Sequence, residues 1–97
     1  MRYVPLDDEA ARAMPELASW TVAEKTISRE FRLRNFAVIA DFIRDVIEAS
    51  ERLNHHPDLD IRYPNAVLVR MSTHVVGGLS NADVTLATEI DSIAQRY

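Results

Sequence analysis

The sequence predicts an α+β fold in which three helices cover one face of a four-stranded antiparallel sheet, in the order α-β-β-α-β-β-α. Two regions carry an apolar residue at every second position, which is typical of half-buried strands. The stretch between them repeats its apolar residues every three or four positions, which is typical of an amphipathic helix. Because hairpins on both sides of a helix favour an antiparallel sheet, we expect the helices on one face.

Length and composition set the class of protein. The 97 residues match the size of one domain, so we expect residues 1–97 to form a single one. The net charge of -4 gives no reason to expect nucleic acid or a membrane surface as partner. The absence of cysteine excludes disulfides, a thiol nucleophile and cysteine-based zinc sites. With no signal-like or membrane-spanning apolar run either, we expect a cytoplasmic protein.

The first third of the chain predicts a short helix and a hairpin. In LDDEAARAMPEL, three acids precede a run of alanines, and Pro15 limits the helix to about two turns. Apolar residues at even spacings then predict two strands: Trp20 and Val22, followed by Ile27, Phe31 and Leu33. We interpret Trp20, together with Tyr63 further along, as core residues.

A long helix is predicted from Asn35 to Leu53. Its apolar side chains cover an arc of about 200°, whereas a helix resting on its own sheet needs only about 100° or somewhat more. Val38, Phe42 and Ala49 lie at one edge of the arc, and Phe36, Ile43 and Ile47 lie toward the other. The excess predicts a second packing surface, most simply another copy of the helix, and therefore a homo-oligomer.

The second hairpin and the last helix follow. Leu59, Ile61 and Tyr63 alternate with charged residues, and Pro64 and Asn65 turn the chain. In the return strand the inward set includes Met71 and Thr73, so His74 lies on the side away from the core. Gly77 and Gly78 end this strand, and Ser80 with Asp83 matches a capping box that opens the last helix.

Two adjacent histidines, His55 and His56, follow the long helix. Asn54 can adopt the left-handed conformation that ends helices, and Pro57 keeps His56 out of helical geometry. The helix dipole, and Glu51 one turn before His55, favour a cationic imidazole. The pair could simply cap the helix. The antiparallel hairpin, however, brings His74 back to the same corner.

Three converging imidazoles have two chemical interpretations. They can transfer protons near neutral pH, or they can bind zinc. Zinc-binding helices usually offer two histidines four residues apart, and adjacent histidines are a less common ligand arrangement. Spacing alone leaves both interpretations open.

These residues resemble the pterin-4a-carbinolamine dehydratase family. The resemblance rests on Glu51, His55-His56-Pro57, the Ser-Thr-His run at 72–74, Gly77-Gly78-Leu79-Ser80 and Asp83, with upstream matches that include Trp20, Arg29 and Phe31. It implies dehydration of 4a-hydroxytetrahydropterin to quinonoid dihydropterin, in tetrahydrobiopterin recycling, with no metal and no organic cofactor. It also implies dimers joined through sheets and tetramers joined through a helix bundle.

The resemblance assigns expected roles to individual residues. It matches His55, His56, His74 and Asp83 to the catalytic set, and it places Glu51, Ser72 and Thr73 around the substrate or behind the histidines. Asp83 has a structural alternative in the capping box, and Glu51 has one as a solvated helix residue. Because relatives with this fold also serve as dimerisation partners or assembly chaperones, a non-catalytic module is the alternative function.

Overall fold

The computed structural model describes residues 2–97 and confirms the predicted α+β order. The helices are α1 (Asp8–Arg12), α2 (Val38–Leu53) and α3 (Asn81–Ala94); the strands are β1 (Pro5–Leu6), β2 (Thr21–Ala23), β3 (Thr26–Arg32), β4 (Asp58–Arg62), β5 (Ala66–Met71) and β6 (Leu79–Ser80). The pair β1 and β6, which the sequence did not predict, forms a separate two-stranded sheet. Two residues are too few to show alternation.

The main sheet has the strand order β2-β3-β5-β4, with all neighbours antiparallel. The central pair aligns Arg29 with Val69, and the edge strand β4 aligns Leu59 with the same valine. The β2–β3 turn uses Glu24 and Lys25, with φ of 52° and 63°. Hairpin turns of this kind usually need glycine or asparagine. Here the Lys25 N–H donates to Asp8 Oδ2 at 3.1 Å, which ties the turn to α1.

One face of the sheet forms the core with the helices. The side chains that point to this face are buried: Val22, Ile27, Phe31, Val67, Val69 and Met71. The alternate residues of β3 and β5, such as Glu30 and Arg70, are half-buried or exposed on the other face. Trp20 is buried as expected, but Tyr63 is 83% exposed, so its assignment to the core is wrong. Tyr63 lies in the turn that follows the edge strand β4.

Helix α2 begins at Val38 rather than at the predicted Asn35. The Asn35 side chain accepts the Val38 N–H at 3.1 Å, so Asn35 supplies an acceptor for the first N–H of the helix instead of belonging to it. Phe42, Val46 and Ala49 are fully buried. The opposite edge of the helix, which carries Ile47, is exposed to solvent. None of the helices within residues 2–97 has the length and apolar character needed to cross a membrane.

Six large apolar side chains of residues 2–97 are about half exposed or more. Four of them lie in the α2 and β4 regions, and we call these four the apolar patch: Phe36, Ile47, Ile61 and Tyr63. Phe36 and Ile47 belong to the α2 region, and Ile61 and Tyr63 belong to the β4 region. The Phe36 and Tyr63 rings are 5.7 Å apart and connect the two regions. The structure therefore identifies Ile47, not Val38, with the outward edge of the helix, since Val38 packs against the core.

Asp91 ties α3 to the sheet. Its carboxylate accepts the indole N–H of Trp20 at 3.1 Å and the Arg29 guanidinium at 2.7 Å. The same guanidinium lies 4.6 Å from the centre of the Phe31 ring. All three polar groups are at least partly buried, so the carboxylate satisfies donors that would otherwise lose their partner.

We predict that Asp91→Ala lowers the free energy of unfolding by about 1–3 kcal/mol, because it leaves two partly buried donors without an acceptor. Urea unfolding measures the change. The control is Glu30→Ala, which removes an exposed ion pair with Arg32 and should cost less than about 1 kcal/mol. Equal losses in the two variants would contradict the role of Asp91.

Candidate active site

The three histidines line one pocket. Asn54 ends α2 in the left-handed conformation (φ 50°, ψ 44°), and the His55 N–H donates back to Ser50 O at 3.0 Å. His74 begins a single helical turn that follows β5. The pocket, of about 190 Å³, is lined by Tyr3, Asn54, His55, His56, Ser72, Thr73, His74 and Val75. The structure therefore brings together the side chains that the sequence analysis placed at this corner.

His55 is held from behind by a buried carboxylate. Its Nε2 lies 2.7 Å from Asp83 Oδ1, and the two side chains are 8% and 0% exposed. The second oxygen, Asp83 Oδ2, accepts the Thr73 hydroxyl at 2.7 Å and the Ser80 N–H at 3.0 Å. Within residues 2–97, no buried side-chain nitrogen or oxygen lacks a hydrogen-bond partner. Both oxygens of the buried carboxylate thus have hydrogen-bond partners, as its burial requires.

The donor and the acceptor of each hydrogen bond around Asp83 can be assigned from its neighbours. Since the Thr73 hydroxyl donates to Asp83, it must accept from the Ser80 hydroxyl, 2.8 Å away. Ser80 Oγ in turn accepts the Ala82 N–H at 3.1 Å. With Asp83 as the carboxylate, Oδ1 can only accept from His55, which assigns the proton to Nε2 and leaves Nδ1 for the pocket.

Asp83 has both of the roles that the sequence left open. Its bond to the Ser80 N–H, together with the Ser80 side chain, forms the predicted capping box at the start of α3. The other carboxylate oxygen contacts His55. Helix capping and orientation of the imidazole are therefore compatible, because a carboxylate has two oxygens and about four acceptor sites.

Glu51 pairs with His56, not with His55 as the sequence analysis expected. Its Oε2 lies 2.5 Å from His56 Nε2, and the two side chains are 70% and 56% exposed. The expectation assumed helical spacing up to His55. Because Asn54 reverses the chain direction, His55 instead turns inward to α3 and His56 remains on the α2 side.

His74 and Ser72 lie on the open side of the return strand. Met71 and Thr73 are buried, Ser72 is half-buried and His74 is exposed, so the alternation beyond β5 follows the predicted pattern. Thr73 contacts Asp83 and Ser80 rather than lying at the open surface. It belongs behind His55, and Ser72 belongs to the pocket wall.

Residues 2–97 offer no set of ligands for the zinc interpretation. No three His, Cys, Asp or Glu side chains in this range are grouped closely enough to hold a metal ion. The Nε2 atoms of both His55 and His56 are engaged by carboxylates. This arrangement orients the imidazoles individually instead of directing their nitrogens to one point.

The sequence analysis missed Tyr3, which lines the pocket from the N-terminal side. More than 50 positions separate Tyr3 from His55, and the strand that follows it, β1, has only two residues. No periodic signal could have linked it to the histidines. Tyr3 is brought there by the pairing of β1 with β6 and by hydrogen bonds between Asn81 and the residues on either side of Tyr3.

Comparison with known proteins gives concordant family and fold matches. Residues 4–93 match the family model described as pterin 4 alpha carbinolamine dehydratase. A protein of Nocardia farcinica named "Putative pterin-4-alpha-carbinolamine dehydratase" is 39% identical over 89 residues, covering 92% of this chain and 93% of the relative. A relative of the same name from Herpetosiphon aurantiacus is 40% identical over 82 residues, covering 84% of both chains.

Two solved structures are similar in fold. A "transcriptional coactivator/pterin dehydratase" from Brucella melitensis has a TM-score of 0.74 and 28% identity, with 89% of both chains covered. A "pterin dehydratase-like protein" described as a RuBisCO assembly factor in the alpha-carboxysome has a TM-score of 0.65 and 19% identity, covering 78% of this chain and 89% of that one. The second likeness concerns the fold alone.

We predict that Thr73→Val lowers the free energy of unfolding by about 1–3 kcal/mol, because Asp83 loses a donor and the Ser80 hydroxyl loses its acceptor in a buried site. Denaturant unfolding provides the measurement. Thr73→Ser, which keeps the hydroxyl, should recover most of the loss. The matched control is Thr85→Val on the exposed side of α3, which should change stability by less than about 0.5 kcal/mol. A Thr73→Val protein as stable as the control would show that the network contributes little.

Proposed function

Because this chain belongs to the pterin-4a-carbinolamine dehydratase family, we propose that it removes water from 4a-hydroxytetrahydropterin to give quinonoid dihydropterin, as a step of tetrahydrobiopterin recycling. The observation that carries the proposal is the His55–Asp83 pair, buried behind a pocket that His56 and His74 also line. A buried and oriented imidazole at an open pocket is suited to proton transfer.

The reaction needs two proton transfers. The C4a hydroxyl must receive a proton to leave as water, and a ring nitrogen must lose one as the double bond forms. Asp83 leaves Nδ1 of His55 to face the pterin, as a base when neutral and as an acid when protonated. We assign His55 and His74 to the two transfers and place His56, held by Glu51, as the third imidazole.

No step in this scheme calls on a metal or an organic cofactor, since the substrate ring itself stabilises the cation that develops as the hydroxyl leaves. The protein supplies orientation and proton transfer. A positioned acid or base contributes about 10² to 10⁴ in rate, which is a sufficient scale for a reaction of this kind.

The alternative function is a non-catalytic assembly module, and the apolar patch is the observation that favours it. The descriptions of the two similar structures include a transcriptional coactivator and an assembly factor. A purely structural protein, however, has no physical need for three imidazoles around one pocket. The dehydratase therefore remains the better-supported proposal.

We predict that the purified chain speeds the decay of freshly generated 4a-hydroxytetrahydropterin, and that His55→Ala and His74→Ala each lower the rate by about 10² or more. Ultraviolet absorbance follows the decay. Glu51→Gln is the comparison, because its exposed contact with His56 should matter less.

Full activity in the double variant His55→Ala/His74→Ala would contradict the assigned roles. Circular dichroism confirms that each variant is folded. Metal analysis of protein purified without a histidine tag completes the experiment, since about one tightly bound zinc per chain would contradict a metal-free reaction.

We also propose that the protein is a homo-oligomer, a tetramer in preference to a dimer, assembled in part through the apolar patch. Exposed apolar patches on a protein surface often mark sites of association. Ile47 is 49% exposed on a helix whose other edge is fully buried, and Phe36, which precedes that helix, is 52% exposed. Packing this edge against another copy would remove both side chains from water.

We predict that Ile47→Glu lowers the assembly state, because it places a charge within the proposed contact. Val38→Glu is the comparison on the same helix. Val38 packs against the core, so that variant should act mainly on the free energy of unfolding. Light scattering measures the mass at micromolar concentration, and an unmodified protein that is monomeric would refute pairing through this surface.

A further inference from the structure

Residues 2–6 form a segment, here called the N-terminal strap, that crosses the start of α3. Asn81 binds it on both sides: its Oδ1 accepts the Val4 N–H at 2.8 Å and its Nδ2 donates to Arg2 O at 3.0 Å. The Asn81 N–H also donates to Val4 O at 3.1 Å. These three bonds flank Tyr3 in the sequence and hold the backbone on either side of it.

The last two residues of the strap form strand β1, which pairs with strand β6 just before α3. Pro5 pairs with Ser80, and Leu6 pairs with Leu79 and packs against the core. Ser80 itself contacts both Thr73 and Asp83. The segment that fixes the strap is therefore the segment that holds the carboxylate behind His55, so the same few residues position Tyr3 and His55.

Tyr3 is half-buried and forms part of the wall of the pocket that contains the three histidines. The other lining residues of the described chain supply imidazoles, hydroxyls, an amide and Val75, which is 81% exposed. Tyr3 is the lining residue that carries a phenyl ring. It thus offers the pocket a flat apolar surface that a bound heterocycle could stack on.

We propose that Tyr3 is a substrate-binding residue whose ring packs against the face of the pterin while the histidines act at its edge, an inference that rests on the proposed function. A pterin is a flat bicyclic ring with polar edges and apolar faces, so hydrogen bonds alone leave its faces in water. Aromatic side chains bind such faces by offset stacking or edge-to-face contact.

The pocket is small for a ligand-binding site. Pockets that bind small molecules usually enclose about 300–1,000 Å³, whereas the pocket formed by this chain measures about 190 Å³. A shallow pocket holds its ligand through a few directed contacts. Because Asn81 holds the backbone on both sides of Tyr3, the strap loses little further conformational entropy when the Tyr3 ring makes one of them.

The test uses pterin itself, the oxidised and unreactive ring, titrated by its fluorescence into the full chain. Tyr3→Ala should raise the Kd about fivefold or more, and Tyr3→Phe should keep it within about twofold, because the ring is retained. Asn81→Ala should also raise the Kd, since it releases the strap without removing the tyrosine. Asn65→Ala is the matched control. The Asn65 side-chain amide also donates to a backbone oxygen, Leu33 O at 2.7 Å, but neither residue lines the pocket.

With the reactive substrate, Tyr3→Ala should raise KM while kcat changes less than about threefold, which distinguishes binding from proton transfer. An active chain whose pterin affinity is the same with Tyr3→Ala would overturn this inference and leave the dehydratase intact. Equal losses of pterin affinity in Tyr3→Phe and Tyr3→Ala would show that the Tyr3 hydroxyl, and not ring stacking, makes the contact. An unmodified chain that neither binds pterin nor speeds the reaction would overturn both proposals.

Discussion

The buried carboxylate of Asp83 is the constraint on which the rest of the site depends. It is completely excluded from solvent, and burial of a charge is tolerated only when donors surround it. The donors come from three places in the chain: His55 after α2, Thr73 after β5, and Ser80 at the start of α3. Satisfying one carboxylate therefore brings the helix end, the sheet end and the capping turn together, and the pocket forms where they meet.

Much of this could be predicted from the sequence because the signals are local. Alternation identified β4 and β5 and placed His74 on the open side. The Ser80–Asp83 spacing predicted the capping box, and Asn54 predicted the end of α2. Each of these features depends on φ and ψ preferences, or on side-chain direction, over a few residues. The resemblance added the expected chemistry, and the family match agrees with it.

The features that the sequence analysis missed depend on contacts between distant residues or on the path of a turn. Glu51 was assigned to His55 by helical spacing, which stops applying once Asn54 takes a positive φ. Tyr63 looked like a core residue because its alternation is correct, but alternation does not reveal that β4 is an edge strand. Tyr3 reaches the pocket through a clamp that joins Arg2 and Asn81, residues 79 positions apart. No local pattern encodes such a pairing.

That clamp has a consequence for the order in which the protein matures during synthesis. His55 precedes its carboxylate partner by 28 positions, and Arg2 precedes Asn81 by 79. At about 5–20 residues per second, the ribosome adds Asp83 roughly one to six seconds after His55, and Asn81 roughly 4–16 seconds after Arg2. The β3, β4 and β5 strands are all synthesised before either partner residue, so the residues that close the pocket are among the last to be made. The complete pocket is therefore a late product of synthesis, and it requires α3.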